Sequence, residues 1–433
     1  MLGGKALVKG LVLLSCLVIS NAQTIKTPSL QHVLSTNKNL TKFYGLMQEK
    51  YPDFLSILEA QNTAEQPITV LAPSNDAFVK IPDSSIGEAF NNNDTDAIRE
   101  VFMYHVLPGT HSTASFSTSF QFLATWLADS SATNVTSGQR VGVVQQTPYY
   151  IFISGLGTRS TITTADIYFT GGVLHIIDMP VIPPVSFPET AEDFNTTAFL
   201  GAAYQNLTLA NLMNLTSDIT IFAPVNNAFE SINTSPLISS NSTLSPIIQY
   251  HIIISPSGPL YSPLLTNGTI FTTLSGTNLT VYSASNSIFI NNARLLQSDL
   301  LLANGVMHTI DSVQCPCAPN VQPNPELATA AEVIPLGSKT LFGKVPFTTA
   351  IPDLTATLSA SITGSSSTSG SGSVTTSSGY DGAASSTYSS GGATESKKSL
   401  ATRSNAGTQM MRLFCLLSFV ISIEAVIMGL GYI

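Results

Sequence analysis

A chain of 433 residues is long enough for two or three domains, each able to bury its own core. Its formal net charge of −9, with no Lys/Arg-rich stretch, argues against nucleic acid or an anionic membrane surface as partner. Charged residues make up only 10%, against roughly 25% in ordinary soluble domains, so neutral polar groups must cover the surface, where glycans could add solubility.

In chain order, Lys5 and Lys9 precede the apolar run Leu11 to Ile19 and the small-residue stretch Ser20-Asn21-Ala22, so residues 1–22 read as a cleaved secretory signal peptide. Leu30, Val33 and Leu34, then Phe43, Leu46 and Met47, then Phe54, Leu55 and Leu58, recur at helical spacing. An apolar strand from Ile68 to Leu71 meets Pro73, which ends it, and Ser74 or Asn75 caps the helix that follows, with Phe78 on its buried side. Val141 to Val144, Tyr149 to Ile153 and Thr161 to Ile167 read as successive strands, and helices followed by strands predict an α+β fold.

Three blocks then repeat in one order. Residues 69–78 (TVLAPSNDAF) return as 220–229 (TIFAPVNNAF), Tyr104-His105 as Tyr250-His251, and residues 172–178 (GVLHIID) as 305–311 (GVMHTID). The offset between copies falls from 151 to 146 to 133 residues, so the first copy carries extra length between its blocks. The blocks resemble the fasciclin (FAS1) domain family, whose members share an apolar-Ala-Pro-x-Asn-x-Ala-Phe segment, a central Tyr-His pair and a closing Asn-Gly-Val-x-His-x-Ile-Asp segment. The second copy keeps Asn304 before Gly305, while the first has Gly171 there. The resemblance implies two tandem FAS1 domains, each a wedge of β-strands with flanking helices, over residues 23–181 and 189–314. It marks Pro73, Asn75, Phe78, His175 and Asp178, with Pro224, Asn226, Phe229, His308 and Asp311, as the structural motif. It also carries an association with adhesion onto Tyr104, His105, Tyr250 and His251.

Read as strands, these blocks make specific geometric claims. Alternation places Val173, His175 and Ile177 on one face and Leu174, Ile176 and Asp178 on the other, with the histidine face toward the core and each aspartate turned away from its histidine. A strand at Tyr104-His105 would turn the tyrosine toward the other layer or solvent if the histidine faces inward. Pro180, Pro183, Pro184 and Pro188 mark residues 182–188 as a short semi-rigid hinge.

Past the second copy, Cys315-Pro316-Cys317 is the one cysteine pair outside the apolar terminal runs that hold Cys16 and Cys415. The spacing leaves a local disulfide, an intermolecular bridge or two free thiols open, and no ligand cluster for a metal lies nearby. Residues 315–358 read as a Pro-containing linker, and 359–405, dominated by Ser, Thr and Gly, as a disordered, O-glycosylated stalk. Leu413 to Ile433 is long enough to cross ~30 Å of hydrocarbon but carries Glu424 and is not followed by Lys or Arg, so residues 406–433 resemble a removed glycosylphosphatidylinositol (GPI) signal tail with attachment at Asn405. A site near residues 391–393 and a retained transmembrane helix are the alternatives. Ten N-glycosylation sequons begin at Asn39, Asn93, Asn134, Asn195, Asn206, Asn214, Asn233, Asn241, Asn267 and Asn278.

No nucleophile elbow, metalloprotease helix, phosphate loop or dinucleotide fingerprint is present in the sequence, so no enzyme and no cofactor is expected. The expected function is extracellular adhesion to cells or to wall and matrix protein or carbohydrate, with homophilic contact open and a lipid anchor to the membrane. A structural or developmental wall glycoprotein without recognition ranks second, and a hydrolase using the repeated histidines last.

Overall fold

The structure, a computed structural model, describes residues 27–61, 65–334 and 345–348. The segments read from the sequence as signal peptide, stalk and anchor tail, with Asn405, lie outside the described residues. Domain 1 opens with helices α1 (Leu30–Thr36), α2 (Thr41–Lys50) and α3 (Pro52–Gln61), then strand β1 (Ile68–Pro73). Helices α4 (Asn75–Val79), α5 (Gly87–Asn92) and α6 (Thr95–Tyr104) follow. Strands β2 (Val106–Pro108), β3 (Gln121–Ala124), β4 (Arg140–Gln146), β5 (Tyr149–Ile153), β6 (Arg159–Phe169) and β7 (Gly172–Ile177) complete it.

Domain 2 repeats the plan with α7 (Phe187–Asp193), α8 (Thr197–Tyr204), α9 (Leu207–Leu215), β8 (Ile219–Pro224), α10 (Asn226–Ser231) and α11 (Asn241–Gln249). Its remaining strands are β9 (Ile252–Ile254), β10 (Ile270–Thr272), β11 (Asn278–Ala284), β12 (Ser287–Ile290), β13 (Ala293–Leu302) and β14 (Gly305–Ile310). Each domain forms one seven-stranded sheet, ordered β2-β1-β7-β6-β5-β4-β3 and β9-β8-β14-β13-β12-β11-β10. Only β1/β7 and β8/β14 run parallel. The sheet ends come together: Trp126 N–H donates to Val106 C=O, and Leu274 N–H to Ile252 C=O, both at 2.8 Å. That curvature gives each sheet an inside, which is where the repeated residues point.

The local chemistry follows the sequence closely at the first block. Ser74 sits extended at φ −65°, ψ 164°, and its hydroxyl accepts from Ala77 N–H at 3.1 Å, capping α4. Helix α6 buries Ile98, Val101 and Phe102 at i, i+3, i+4 and is capped by Asp94. Phe102 packs against Phe43, Tyr51 and Phe54, closing the helical side of the core. A separate cluster of Leu71, Tyr104, Val143, Phe152 and Ile177 fills the inside of the sheet.

Strand β7 therefore has no solvent face. Leu174 and Ile176 join the helical core while Val173, His175 and Ile177 face inward, all buried. The histidine face is a core face, as expected, but so is the other, because helices cover it.

Three segments differ from the sequence reading. Tyr104 is the last residue of α6 and His105 its C-cap, while Tyr250 is the C-cap of α11 and His251 follows it, so the pairs stand at helix ends rather than in strands. Residues 182–188 are not a hinge: Gly155 N–H donates to Ile182 C=O, Ala303 N–H donates to Val185 C=O, and Pro188 is built into α7. Residues 315–334 are not linker either. Cys315 and Cys317 form a disulfide, Ala331 C=O accepts from Asn292 Nδ2, Ala330 N–H donates to Asp311 Oδ2, and Ile334 is buried in the domain 2 core. The prolines misled because their stiffness suits a chain laid against a surface as well as one extended into solvent.

Candidate functional site

The residues repeated between the domains converge on the backbone. His105 Nδ1 contacts Val101 C=O at 2.7 Å while Nε2 accepts Val181 N–H at 3.1 Å. His251 repeats this with Ile247 C=O at 2.8 Å and Gln314 N–H at 3.0 Å. Since an amide can only donate, Nε2 is bare and Nδ1 carries the proton in both. Each ring thus ties the last turn of a helix to the chain leaving the sheet after β7 or β14. Burial pushes both imidazoles down from the usual range to about 4, against a smaller upward pull from the carbonyl each faces.

The second pair of histidines answers a different need. β6 and β13 each carry a bulge opposite β7 and β14, with Asp166 and Asp299 at positive φ of 56° and 62°. The amide freed by each bulge donates to His175 Nδ1 or His308 Nδ1 at 3.2 Å, and each Nε2–H donates to a loop carbonyl, His111 or Leu260, at 2.8 Å. The tautomer is the reverse of that in the Tyr-His pairs. Burial lowers these two as well. Left unsatisfied, such buried groups would cost about 1–3 kcal/mol each.

Tyr104 and Tyr250 are fully buried, so as folded neither reaches a partner. Their hydroxyls donate to Arg140 C=O at 2.7 Å and Asn278 C=O at 2.8 Å, and Tyr250 also accepts from Asn291 Nδ2 at 3.0 Å. Desolvation raises both phenols, that of Tyr104 strongly. Asp178 Oδ1 accepts Thr161 N–H at 2.6 Å and Asp311 Oδ1 accepts Arg294 N–H at 2.8 Å, so each aspartate holds the neighbouring strand and none pairs with a histidine.

Asn75 is the residue whose role the sequence concealed. Its Oδ1 accepts Lys42 N–H at 2.9 Å, capping α2 rather than its own helix, and Asn226 Oδ1 accepts Ala198 N–H at 2.8 Å on α8. Leu40 and Thr196, which begin those helices, supply no side-chain cap, and that missing cap was the signal available. Pro73 and Pro224 end the parallel strands, and Phe229 is buried while Phe78 is half-exposed.

Sequence reasoning also missed the contact between domains. Gln139 is fully buried there: its Nε2 donates to Thr133 Oγ1 and Leu302 C=O, both at 3.0 Å, and its Oε1 accepts from Arg140 N–H at 2.8 Å. Asp218 accepts from Thr136 N–H at 2.9 Å and from its hydroxyl at 2.5 Å. Asn134 N–H reaches Ala303 C=O at 2.8 Å, and Phe122 stacks on Tyr261 with ring centroids 4.2 Å apart. The loop responsible, residues 125–139, stands where domain 2 has only 273–277, and this is where the repeat offset shrinks.

The sequons divide by geometry. Asn39, Asn93, Asn195, Asn267 and Asn278 are exposed. Asn134 and Asn241 are exposed but donate Nδ2 to Leu215 C=O and Gln205 C=O. Asn206 and Asn214 are half-buried with Nδ2 donated to Ser245 Oγ and Tyr204 OH, and Asn233 is half-buried. Among the described residues no His/Cys/Asp/Glu cluster could hold a metal ion, and no helix is long and apolar enough to cross a membrane.

A duplicated α+β domain, with its recurrent polar residues turned onto its own backbone and its two copies docked side by side, is a paired scaffold module. The fasciclin domain model matches residues 38–183 and 193–316, and the chain belongs to that family. A fasciclin-like arabinogalactan protein of Arthroderma benhamiae is 33% identical over 275 residues, 63% of this chain and 63% of that relative. The fasciclin-like arabinogalactan protein elcF of Phaeosphaeria nodorum is 27% identical over 66% of this chain and 88% of its own length. Transforming growth factor-beta-induced protein ig-h3 of Sus scrofa is 25% identical over 57% of this chain and 33% of its own. The solved FAS1 domain pair of the insect cell adhesion molecule Fasciclin I aligns over 65% of the chain at 17% identity and a TM-score of 0.31, too loose to add to the assignment.

Proposed function

We propose that the chain is an extracellular cell-surface glycoprotein that binds cells or wall and matrix components through the outer surface of its docked FAS1 pair, held to the membrane by a GPI anchor at Asn405. The carrying observation is the inward orientation of the repeated residues. Tyr104, His105, Tyr250 and His251 are consumed in holding helix to sheet, so recognition falls to exposed surface, and the same four residues act on adhesion by keeping that surface in shape. The likeness to fungal fasciclin-like arabinogalactan proteins supports the placement at a cell surface or wall.

Beads coated with the secreted, glycosylated chain test this, scored for clustering and for capture by cells and isolated walls. Capture by the native chain and equal capture by a folded Tyr104→Phe/Tyr250→Phe chain is the expected result. Loss of capture in that folded variant would return the contact to the tyrosines. Inert beads would favour a wall-structural role without recognition.

A further inference from the structure

Helices α2 and α8 are copies: residues 41–45 (TKFYG) align with 197–201 (TAFLG), and the same asparagine cap on Lys42 and Ala198 fixes the register. Their surroundings differ. On α8, residues 345–347 bend across the helix, with Val345 and Phe347 packed on the domain 2 core and Phe347 at a positive φ of 67°. A Cβ on Gly201 would stand 2.0 Å from Phe347 C=O, so only glycine admits that carbonyl, and the Phe347 ring meets Phe229 edge-on at 6.3 Å. As a result Ala198 to Ala203 and Phe229 are all buried.

On α2 nothing lies within 4 Å of the Cβ position of Gly45. An open groove of about 400 Å³ runs past it, with Leu46, Phe78 and Phe90 half-exposed as its apolar floor. Lys42 stands where α8 has Ala198, and Glu49 lies seven residues on, so a cation and an anion rim the groove roughly 10 Å apart along the helix.

We infer that the α2 groove of domain 1 is a peptide-docking site for an apolar-Pro-Phe segment of a partner protein, bent as residues 345–347 are in the equivalent groove of domain 2. The segment lays a backbone carbonyl over Gly45 and its ring against Phe78 and Phe90. The rim charges select a segment bearing an acid on the Lys42 side and a base on the Glu49 side.

The test uses the full secreted chain and a fluorescent peptide of residues 344–349. Saturable binding is expected, weakened at least tenfold by Gly45→Leu and equally by a Phe347→Ala peptide. Gly45→Leu folds, since its side chain enters open space and favours helix, and an unchanged or raised Tm checks this. Binding untouched by Gly45→Leu, or lost instead with Gly201→Ala, overturns the proposal by placing the peptide in domain 2. Absence of binding up to millimolar peptide also overturns it. Self-association of the native chain in sedimentation, abolished by Gly45→Leu, would assign the groove to a second copy and refute the partner-protein reading.

Discussion

Acid should loosen both domains through the histidines that clip helix to sheet. His105 and His251 are neutral and fully hydrogen-bonded when folded, and protonating Nε2 would set a new N–H against the amide of Val181 or Gln314. Their folded values lie near 4, against 6.5 for an exposed imidazole, so the unfolded chain binds the proton more readily. The stability each confers is complete above about pH 6.5, falls away as pH drops toward 4, and changes no further below that. At roughly 1.4 kcal/mol per unit, the gap is worth about 3 kcal/mol for each ring, a large share of a domain's stability. Burial raises the carboxyls of Glu189, Asp311 and Glu332, which act in the opposite sense in domain 2, so the histidine contribution must be isolated. Urea unfolding between pH 7 and 4 should do this with a His251→Gln chain, which keeps a donor and an acceptor but cannot protonate. Domain 2 of that variant should be weaker at pH 7 yet lose about 3 kcal/mol less than native on acidification. Parallel pH profiles for the two chains would refute the reasoning.

Tyr104→Phe should fold with a loss of about 1–2 kcal/mol, and Tyr250→Phe should cost more because its hydroxyl also serves Asn291; denaturant midpoints read the order. Gln139→Leu leaves the buried carbonyl of Leu302 without its donor at the domain junction, so calorimetry should resolve the single melting transition of the native pair into two. Glycopeptide mass spectrometry should find Asn39, Asn93, Asn195, Asn267 and Asn278 occupied and Asn206 and Asn214 bare; full occupancy at Asn214, whose amide is held by Tyr204, would contradict the geometry.

The duplication, the α+β class, the Ser74 cap and the strands of domain 1 were legible in the sequence, because capping, alternation and proline punctuation act over a few residues. The inward histidines of β7 and β14 were legible in direction but not in purpose. Their Nδ1 atoms answer bulges at Asp166 and Asp299, which exist only once β6 meets β7 and β13 meets β14. Tyr104 and Tyr250 were misplaced because a helix ends there against a strand, and the contact that ends it is long-range.

By itself, then, the sequence determined that two like domains form and which residues they share, since those follow from local periodicity and repetition. Tertiary structure alone decided that Asn75 and Asn226 cap other helices and that residues 125–139 lock the pair. It alone decided, too, that one of two matching grooves is filled and the other open. Each of these rests on groups distant in the chain meeting in space, which no window of sequence records.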